Sequence, residues 1–457
     1  DRSLDDAQPR PGGGGRDRGR SVMLAPLYTS EDMKAAEAGH DVSTLMERAG
    51  QAVAEAAMHR FPRARTFALY AGKGANGGDG KIAARILEER GWKQVGEGAD
   101  VVIDALLGTG IRGAPRADVA AEIQRINDSG TPVLAVDIPS GVDASTGEVE
   151  GAAVRATITV TMHGHKVGLA VGPGCFRSGD VVTADIGLEH RETRHRLVTH
   201  DILRLVPRKG GEDNKYTAGS VLVVGGARGT TGAAALAARA AFRADAGYVA
   251  IAAPADALPT IETLVVEAVK RPLESAVEAA QRASALALGP GLGRDQQPLV
   301  RRLLQETELP AVVDADALYE LKPFDRAAPT VLTPHSGELA RLLGEESKWV
   351  DAHRLEALAR AVDRFRCIVL LKGADTLIGA PGEGVWVVGD NVPSLATAGT
   401  GDVLTGIIAA FLAKRMDARE AVAAAAVAHR LAAARGPRRG LVAGDVIDAL
   451  PGCIDQS

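Results

Sequence analysis

The sequence predicts an α/β protein built as two three-layer α/β/α domains. Three observations lead there. The chain has 457 residues, more than one ordinary hydrophobic core absorbs. Short apolar runs alternate with helix-like periodicity along most of it, the pattern of a largely parallel sheet. Those runs repeatedly end in Gly-rich or polar loops, and open α/β sheets bind ligands at the carboxyl ends of their strands.

Residues 1–22 are rich in Gly, Arg, Asp and Pro with no apolar stretch, so they are expected to be a disordered extension, not a signal peptide. Thr29-Ser30-Glu31-Asp32 opens a helix, and Met33, Ala36, Met46, Ala49, Val53 and Ala57 continue helical spacing to Arg60. Thr66–Tyr70 is a strand feeding Ala71–Gly80 and a helix, Lys81–Arg90. Val101–Asp104 feeds Ala105–Gly110 and a helix over 116–127. Val133–Asp137 feeds Ile138–Gly141. Val154–Met162 and Val181–Ile186 read as further strands. The charge cluster His190–Arg196 reads as an exposed linker, placing a first domain at 23–190, a linker at 191–197 and a second domain at 198–457. There, strands at Ser220–Val224, Ala285–Leu288, Ala311–Asp314, Thr330–Leu332 and Cys367–Leu371 each end in a polar or Gly-rich loop, and Thr231–Asp245 is an Ala-rich helix.

Composition narrows the function. A formal net charge of −5 gives no basic surface for nucleic acid, and no apolar run has membrane-spanning length. Cys175, Cys367 and Cys453 lie far apart, which argues against structural zinc and fits a reducing, cytoplasmic compartment. A homo-oligomer acting on a small molecule is expected.

The most informative run is Ala396-Thr397-Ala398-Gly399-Thr400-Gly401-Asp402 before the apolar stretch 403–412. Glycines there let backbone amides approach an anion at a helix N-terminus. Asp402, in the first turn, is placed to take a proton from a hydroxyl or to manage a metal, where an acidic helix start is the plain alternative. Lys372 follows a strand and could serve a phosphate. His335 stands in a strand-end loop, as a ligand contact or as a satisfied structural residue. Asp314 and Asp316 flank a strand end and suit either a Mg²⁺-water role or a turn.

The stretches DNKYTAGSVLVVGGARGTTGAA, LALGPGLG, VVDADAL, TPHSGELARL, VLLKGADT and ATAGTGDVLTG, spanning Asp213 to Gly406, resemble the ribokinase-like superfamily and, within it, the ADP- or ATP-dependent NAD(P)H-hydrate dehydratases. The resemblance implies a ribokinase-like fold and repair of NADH or NADPH hydrated at C6 of the nicotinamide ring (NADHX, NADPHX). A nucleotide phosphate, with Mg²⁺, activates the hydroxyl and is then eliminated. It implies that Lys372, Gly373, Ala374, Asp375, Thr376 and Gly401 touch ADP or ATP, beside the Gly399 and Thr400 amides. Ala233, Gly293, His335 and Asp402 would touch the hydrate, with Asp402 the base. Gly389–Leu395 departs from the family's turn ahead of the motif.

AGKGANGGDG, DALLGTGIRG and VDIPSGVDASTG make residues 23–190 resemble the NAD(P)H-hydrate epimerases, with a Rossmann-like sheet. That resemblance assigns Asn76, Asp104 and Ser140 to a K⁺ ion. It assigns Ala75, Asn76, Gly77, Gly78 and Asp79, then Gly108, Thr109, Gly110, Ile111, Arg112, Gly113 and Ala114, to the hydrate, with Asp137 the acid/base. Ala75 replaces the family's usual Asn, and the connection between Trp92 and Ala99 is short enough to cost the sheet a strand. The alternative is a ribokinase-like small-molecule kinase carrying an inactive N-terminal scaffold.

Overall fold

A computed structural model describes residues 23–389 and 392–455. The expected extension at 1–22 lies outside the described residues, as do Asp390 and Asn391 in the departing turn.

The first sheet has six strands, all parallel, in the spatial order Lys93–Gln94, Thr66–Ala71, Val101–Ala105, Val133–Val136, Ile158–Met162 and Asp180–Ala184. Val101–Ala105, Val133–Val136 and Ile158–Met162 are buried along their whole length, as a parallel sheet covered on both faces requires. The short connection after Trp92 does not delete the edge strand. It shrinks it to two exposed residues, which also leaves little unpaired backbone at that edge.

The segment read as a loop at 71–80 is helical from Ala75, and the helix runs to Glu89. Its glycines are spatial, not flexible, choices. A Cβ on Gly77 would stand 2.1 Å from the Gly72 carbonyl oxygen, and one on Gly80 2.5 Å from the Ala105 Cβ. The helical run from Ser30 is likewise two helices, Ser30–Glu37 and Val42–Arg60, broken around Gly39 with its φ of 87°.

The second sheet has eleven strands. Thr330–Leu332, Ala311–Val313, Ala285–Leu288, Ser220–Val224 and Tyr248–Ala253 form its parallel centre, with Val269–Pro272 at one end. Ile368–Leu371 continues it in parallel, then Thr376–Gly379 and Trp386–Val388 follow antiparallel. The far edge corrects the sequence-based division of the chain. His195–Val198, inside the expected linker, is a strand beside Trp386–Val388, and Leu24–Leu27 pairs antiparallel with it. The first strand of the chain thus belongs to the second sheet. Charges at 190–196 hid the strand: it lies next to the edge of the sheet, and three of its four side chains are only partly buried.

The helix Thr400–Ala413 is buried on nearly every side. It packs between the Ala-rich helices Thr231–Arg243 and Ala418–Arg435, whose small side chains let the axes approach. This supplies the core that a chain with 3% aromatics must build from aliphatic contacts. No helix among the described residues is long and apolar enough to cross a membrane.

Candidate active sites

The carboxyl ends of the second sheet bring Lys372, Asp314, Glu338 and Asp402 together. Lys372 leaves the strand Ile368–Leu371 and places Nζ 2.7 Å from Asp314 Oδ1 and 3.8 Å from Glu338 Oε2. Burial disfavours its charge, but the Asp314 and Glu338 carboxylates outweigh that and hold the ammonium above its ordinary value. Thr405 Oγ1 donates to Asp314 Oδ2 at 2.7 Å, so this almost fully buried carboxylate is used on both oxygens. Asp402 occupies the first turn of the helix that Gly399 caps with a φ of 89°. Burial and the nearby Asp314 charge, partly offset by Lys372, push its carboxyl up to about 7. A group poised there can take a proton near neutral pH.

Asp316 Oδ2 accepts from the Gly293 amide at 3.0 Å. His335 caps the helix Ser336–Leu343: its Nδ1 accepts from the Gly337 and Glu338 amides at 3.0 and 3.3 Å, and its own amide donates to Glu338 Oε2 at 2.9 Å. Nε2 therefore carries the proton in the neutral ring. A cavity of about 350 Å³ opens beside these groups. His335, Lys372, Gly373, Ala374, Thr376, Thr400 and Gly401 line it, opposite an apolar wall that includes Val388, Val392, Leu395 and Leu404. Ala233, Gly293, Gly399 and Asp402 stand outside that lining, and so does Asp375, whose carboxylate turns the other way. His429 and Arg430 line the cavity too and carry no sequence signal, since a lone His in an Ala-rich helix reads as core.

The first sheet builds a separate cavity of about 910 Å³. Ala75, Asn76, Asp79, Gly108, Thr109, Gly110, Ile111, Arg112 and Asp137 line it, while Gly77, Gly78, Gly113 and Ala114 do not. Asp137 follows its strand with a φ of 65°, a strained backbone position for a non-glycine residue. Its Oδ1 accepts from the Met162 amide at 3.0 Å and from Lys166 Nζ at 2.5 Å. Lys166 is fully buried and also donates to Thr161 Oγ1 and the Met162 carbonyl. Sequence reasoning passed over it because a lysine after His165 carries no sign of burial. Asp79 faces the same cavity. Burial, with the Asp137 and Glu37 charges, pushes it up to about 8, and its Oδ1 has no hydrogen-bond partner.

The three residues assigned to K⁺ do meet. Asp104 accepts from Ser140 Oγ at 2.6 Å and from the Ser140 amide at 2.9 Å. Ser140 Oγ accepts from the Leu107 amide, and Asn76 Nδ2 donates to the Leu107 carbonyl. Asp104 is wholly buried, and burial pushes it up to about 6 against those hydrogen bonds. Among the described residues no basic side chain forms an ion pair with it. A buried carboxylate hydrogen-bonded by neutral groups, with the Ser140 hydroxyl beside it, suits a weakly charged hard cation.

Known proteins combine the same two parts on one chain. A family model described as NAD(P)H-hydrate dehydratase matches residues 221–450, and one described as YjeF-related protein N-terminus matches 42–96 and 92–168. The bifunctional NAD(P)H-hydrate repair enzyme of Moorella thermoacetica is 37% identical over 89% of this chain and 91% of its own length. The chain belongs to the bifunctional NAD(P)H-hydrate repair enzymes. The Escherichia coli member is 33% identical over 89% of this chain and 88% of its own. Among solved structures, the ADP/ATP-dependent NAD(P)H-hydrate dehydratase of Bacillus subtilis, co-crystallised with ATP and Mg²⁺, aligns with a TM-score of 0.52 and 29% identity. It covers 56% of this chain and 97% of that one. The two segments of the N-terminal family match overlap at 92–96, where the two-residue edge strand lies.

Proposed function

We propose that the second site dehydrates the S epimer of NADH or NADPH hydrate at the expense of ADP or ATP, and that the first site interconverts the R and S epimers. One observation carries the reading of the second site. A carboxylate poised near neutrality, Asp402, sits on a helix N-terminus whose amides face a cavity lined by Lys372. Asp402 takes the proton of the C6 hydroxyl as that oxygen attacks the terminal phosphorus. The Gly399–Gly401 amides hold the charge that develops on the phosphoryl oxygens. The C6–O bond then breaks, the oxygen leaving in inorganic phosphate while C5 gives up a proton to solvent, and the C5–C6 double bond of the ring returns. Among the described residues no three acidic, His or Cys groups converge as a metal site. Mg²⁺ would be carried chiefly by phosphate oxygens, with Asp402 or Asp316 as its protein contact, the usual mode for that ion.

In the first site Asp79, kept protonated by its surroundings, can donate a proton to the departing C6 hydroxyl. Asp137, positioned by Lys166, can take one from the water that returns on the other face. K⁺ held by Asn76, Asp104 and Ser140 would neutralise the buried Asp104 and fix the Leu106–Gly108 turn. We also read the chain as a cytoplasmic homo-oligomer, which sedimentation and cell fractionation test.

The decisive assay supplies purified S hydrate, then R hydrate, to the full chain with ADP or with ATP, and follows the absorbance of the restored ring. S hydrate should require nucleotide and release inorganic phosphate. A stable phosphorylated product would instead establish a kinase. R hydrate consumed no faster than its spontaneous epimerisation would leave the first domain as a scaffold.

A further inference from the structure

The nucleotide loop 372–376 is held by groups that the proposed reaction does not use. Asp375 is 3% exposed, and its Oδ2 accepts from Arg354 Nε at 2.8 Å. The same oxygen accepts from the backbone amide of Gly172, in the first half of the chain, at 2.7 Å. Arg354 is 5% exposed and grips the loop elsewhere as well, with Nη2 on the Asp375 carbonyl at 3.2 Å and on the Lys372 carbonyl at 3.4 Å. Its Nη1 reaches Ser336 Oγ at 3.3 Å, beside His335. One guanidinium thus ties together two of the loops that line the second cavity. The fit is close: a Cβ on Gly373 would stand 2.4 Å from Arg354 Nη2. Gly172 is no floppy partner, because the short helix Val167–Ala170 before it starts at Lys166, whose ammonium is buried on Asp137 and Met162. His353, next to Arg354, meets Glu148 across the same seam at 3.0 Å.

We propose that Arg354 and Asp375 are positioning residues for the nucleotide loop, and that the Gly172 amide is their third member, so that the first half of the chain completes the nucleotide site of the second. This rests on reading 372–376 as the nucleotide loop. A buried ion pair holds geometry well only when its remaining lone pairs are satisfied, and Gly172 satisfies one of them from outside the dehydratase half. Asp375 is then an anchor, not a nucleotide contact.

The test uses the full chain and measures the Kd of ADP by calorimetry, alongside the kcat and nucleotide KM of dehydration. A Cβ on Gly172 would lie 3.3 Å from Asp375 Oδ2 and 3.5 Å from Arg354 Cδ. Gly172→Val should therefore push its branches into the pair, weakening ADP about tenfold and raising the nucleotide KM, with kcat at saturation changed far less. Asp375→Asn, which keeps the size and the acceptor for Gly172 but loses the charge, should weaken ADP by a similar factor and leave epimerisation of R hydrate untouched. Arg354→Met should do the same, and Arg354→Lys should recover part of the loss. Folded Gly172→Val and Asp375→Asn chains that bind ADP within twofold of wild type would overturn the proposal. So would a wild-type chain that binds no ADP. ADP binding that responds to these variants in a chain without dehydratase turnover would uphold the clamp and refute the assigned reaction.

Discussion

The two sites use the same parts, aspartates at strand ends and one lysine, but wire them in opposite ways. In the second site Lys372 is spent mainly on Asp314, and burial and like charge win at the proposed base, Asp402, pushing it up to about 7. In the first, Lys166 sits directly on Asp137, and it is the neighbouring Asp79 that is pushed up to about 8. A lysine placed one carboxylate away yields a base ready near neutral pH. A lysine placed on the carboxylate fixes its position, and it is a second carboxyl nearby whose proton is held to higher pH. The contrast shows that pKa tuning is decided by which partner the cation takes, not by which residues are present.

The comparison breaks most sharply by substitution. Asp402→Asn should lower dehydration by about 10²–10⁴-fold while ADP still binds by calorimetry. A near-wild-type rate would reduce Asp402 to an ordinary first-turn residue. Lys166→Met should cut epimerisation of R hydrate by about 10²-fold, by releasing Asp137 from its fixed position, and leave turnover of S hydrate with ADP intact. Equal loss in both assays would mean that the lysine serves folding alone.

Replacing K⁺ by Li⁺ should slow epimerisation roughly tenfold without touching dehydration, since a smaller cation cannot span the same oxygens.

Acidity separates the sites more gently. Dehydration needs Asp402 ionised, so kcat/KM should fall about tenfold per unit as pH drops below about 7. Epimerisation needs Asp79 protonated and should fall as pH rises above about 8. The same shifts govern stability. Both carboxyls hold their proton more tightly folded than unfolded, so their contribution is complete below the unfolded value of 3.8 and is lost as pH rises through about 7 and about 8. Asp79→Asn should therefore raise Tm in mildly alkaline buffer and leave it unchanged in acid, as calorimetric scans at the two pH values would show. The smallest expected effect is that of Thr405→Val. It removes one hydrogen bond from Asp314, worth about 1 kcal/mol, and should slow dehydration about fivefold.

Much of this was legible in the sequence because the chemistry sits at strand ends, and strands feeding Gly-rich loops are a local signal. Asn76, Asp104 and Ser140 were assigned together from three separate loops, and they meet around Leu107. Lys166, Arg354 and Asp375 were not legible in their actual roles. Each owes its role to a partner 21 to 203 positions away, and nothing in a neighbouring residue marks a lysine or an arginine as buried. The helix at Ala75–Gly80 was missed because glycines in a run read as a loop, whereas here they clear space for a backbone packed against Gly72 and Ala105.

The strand Leu24–Leu27 has a consequence for how the molecule is made. Its neighbour in the sheet, His195–Val198, lies on the far side of the whole first domain; Met23 and Thr199, which close the pair, are 176 positions apart. At about 5–20 residues per second, a ribosome leaves the opening strand without its partner for roughly ten seconds or more. His195–Val198 in turn waits for Trp386–Val388 before it joins the larger sheet. The first domain can gather around its six strands early, but the ribbon at its root joins the larger sheet only when the other half is nearly synthesised. Separating the halves at the apparent linker would cut through that ribbon, stripping two edge strands from one product and leaving the other with a stretch of chain that has nothing to pair with.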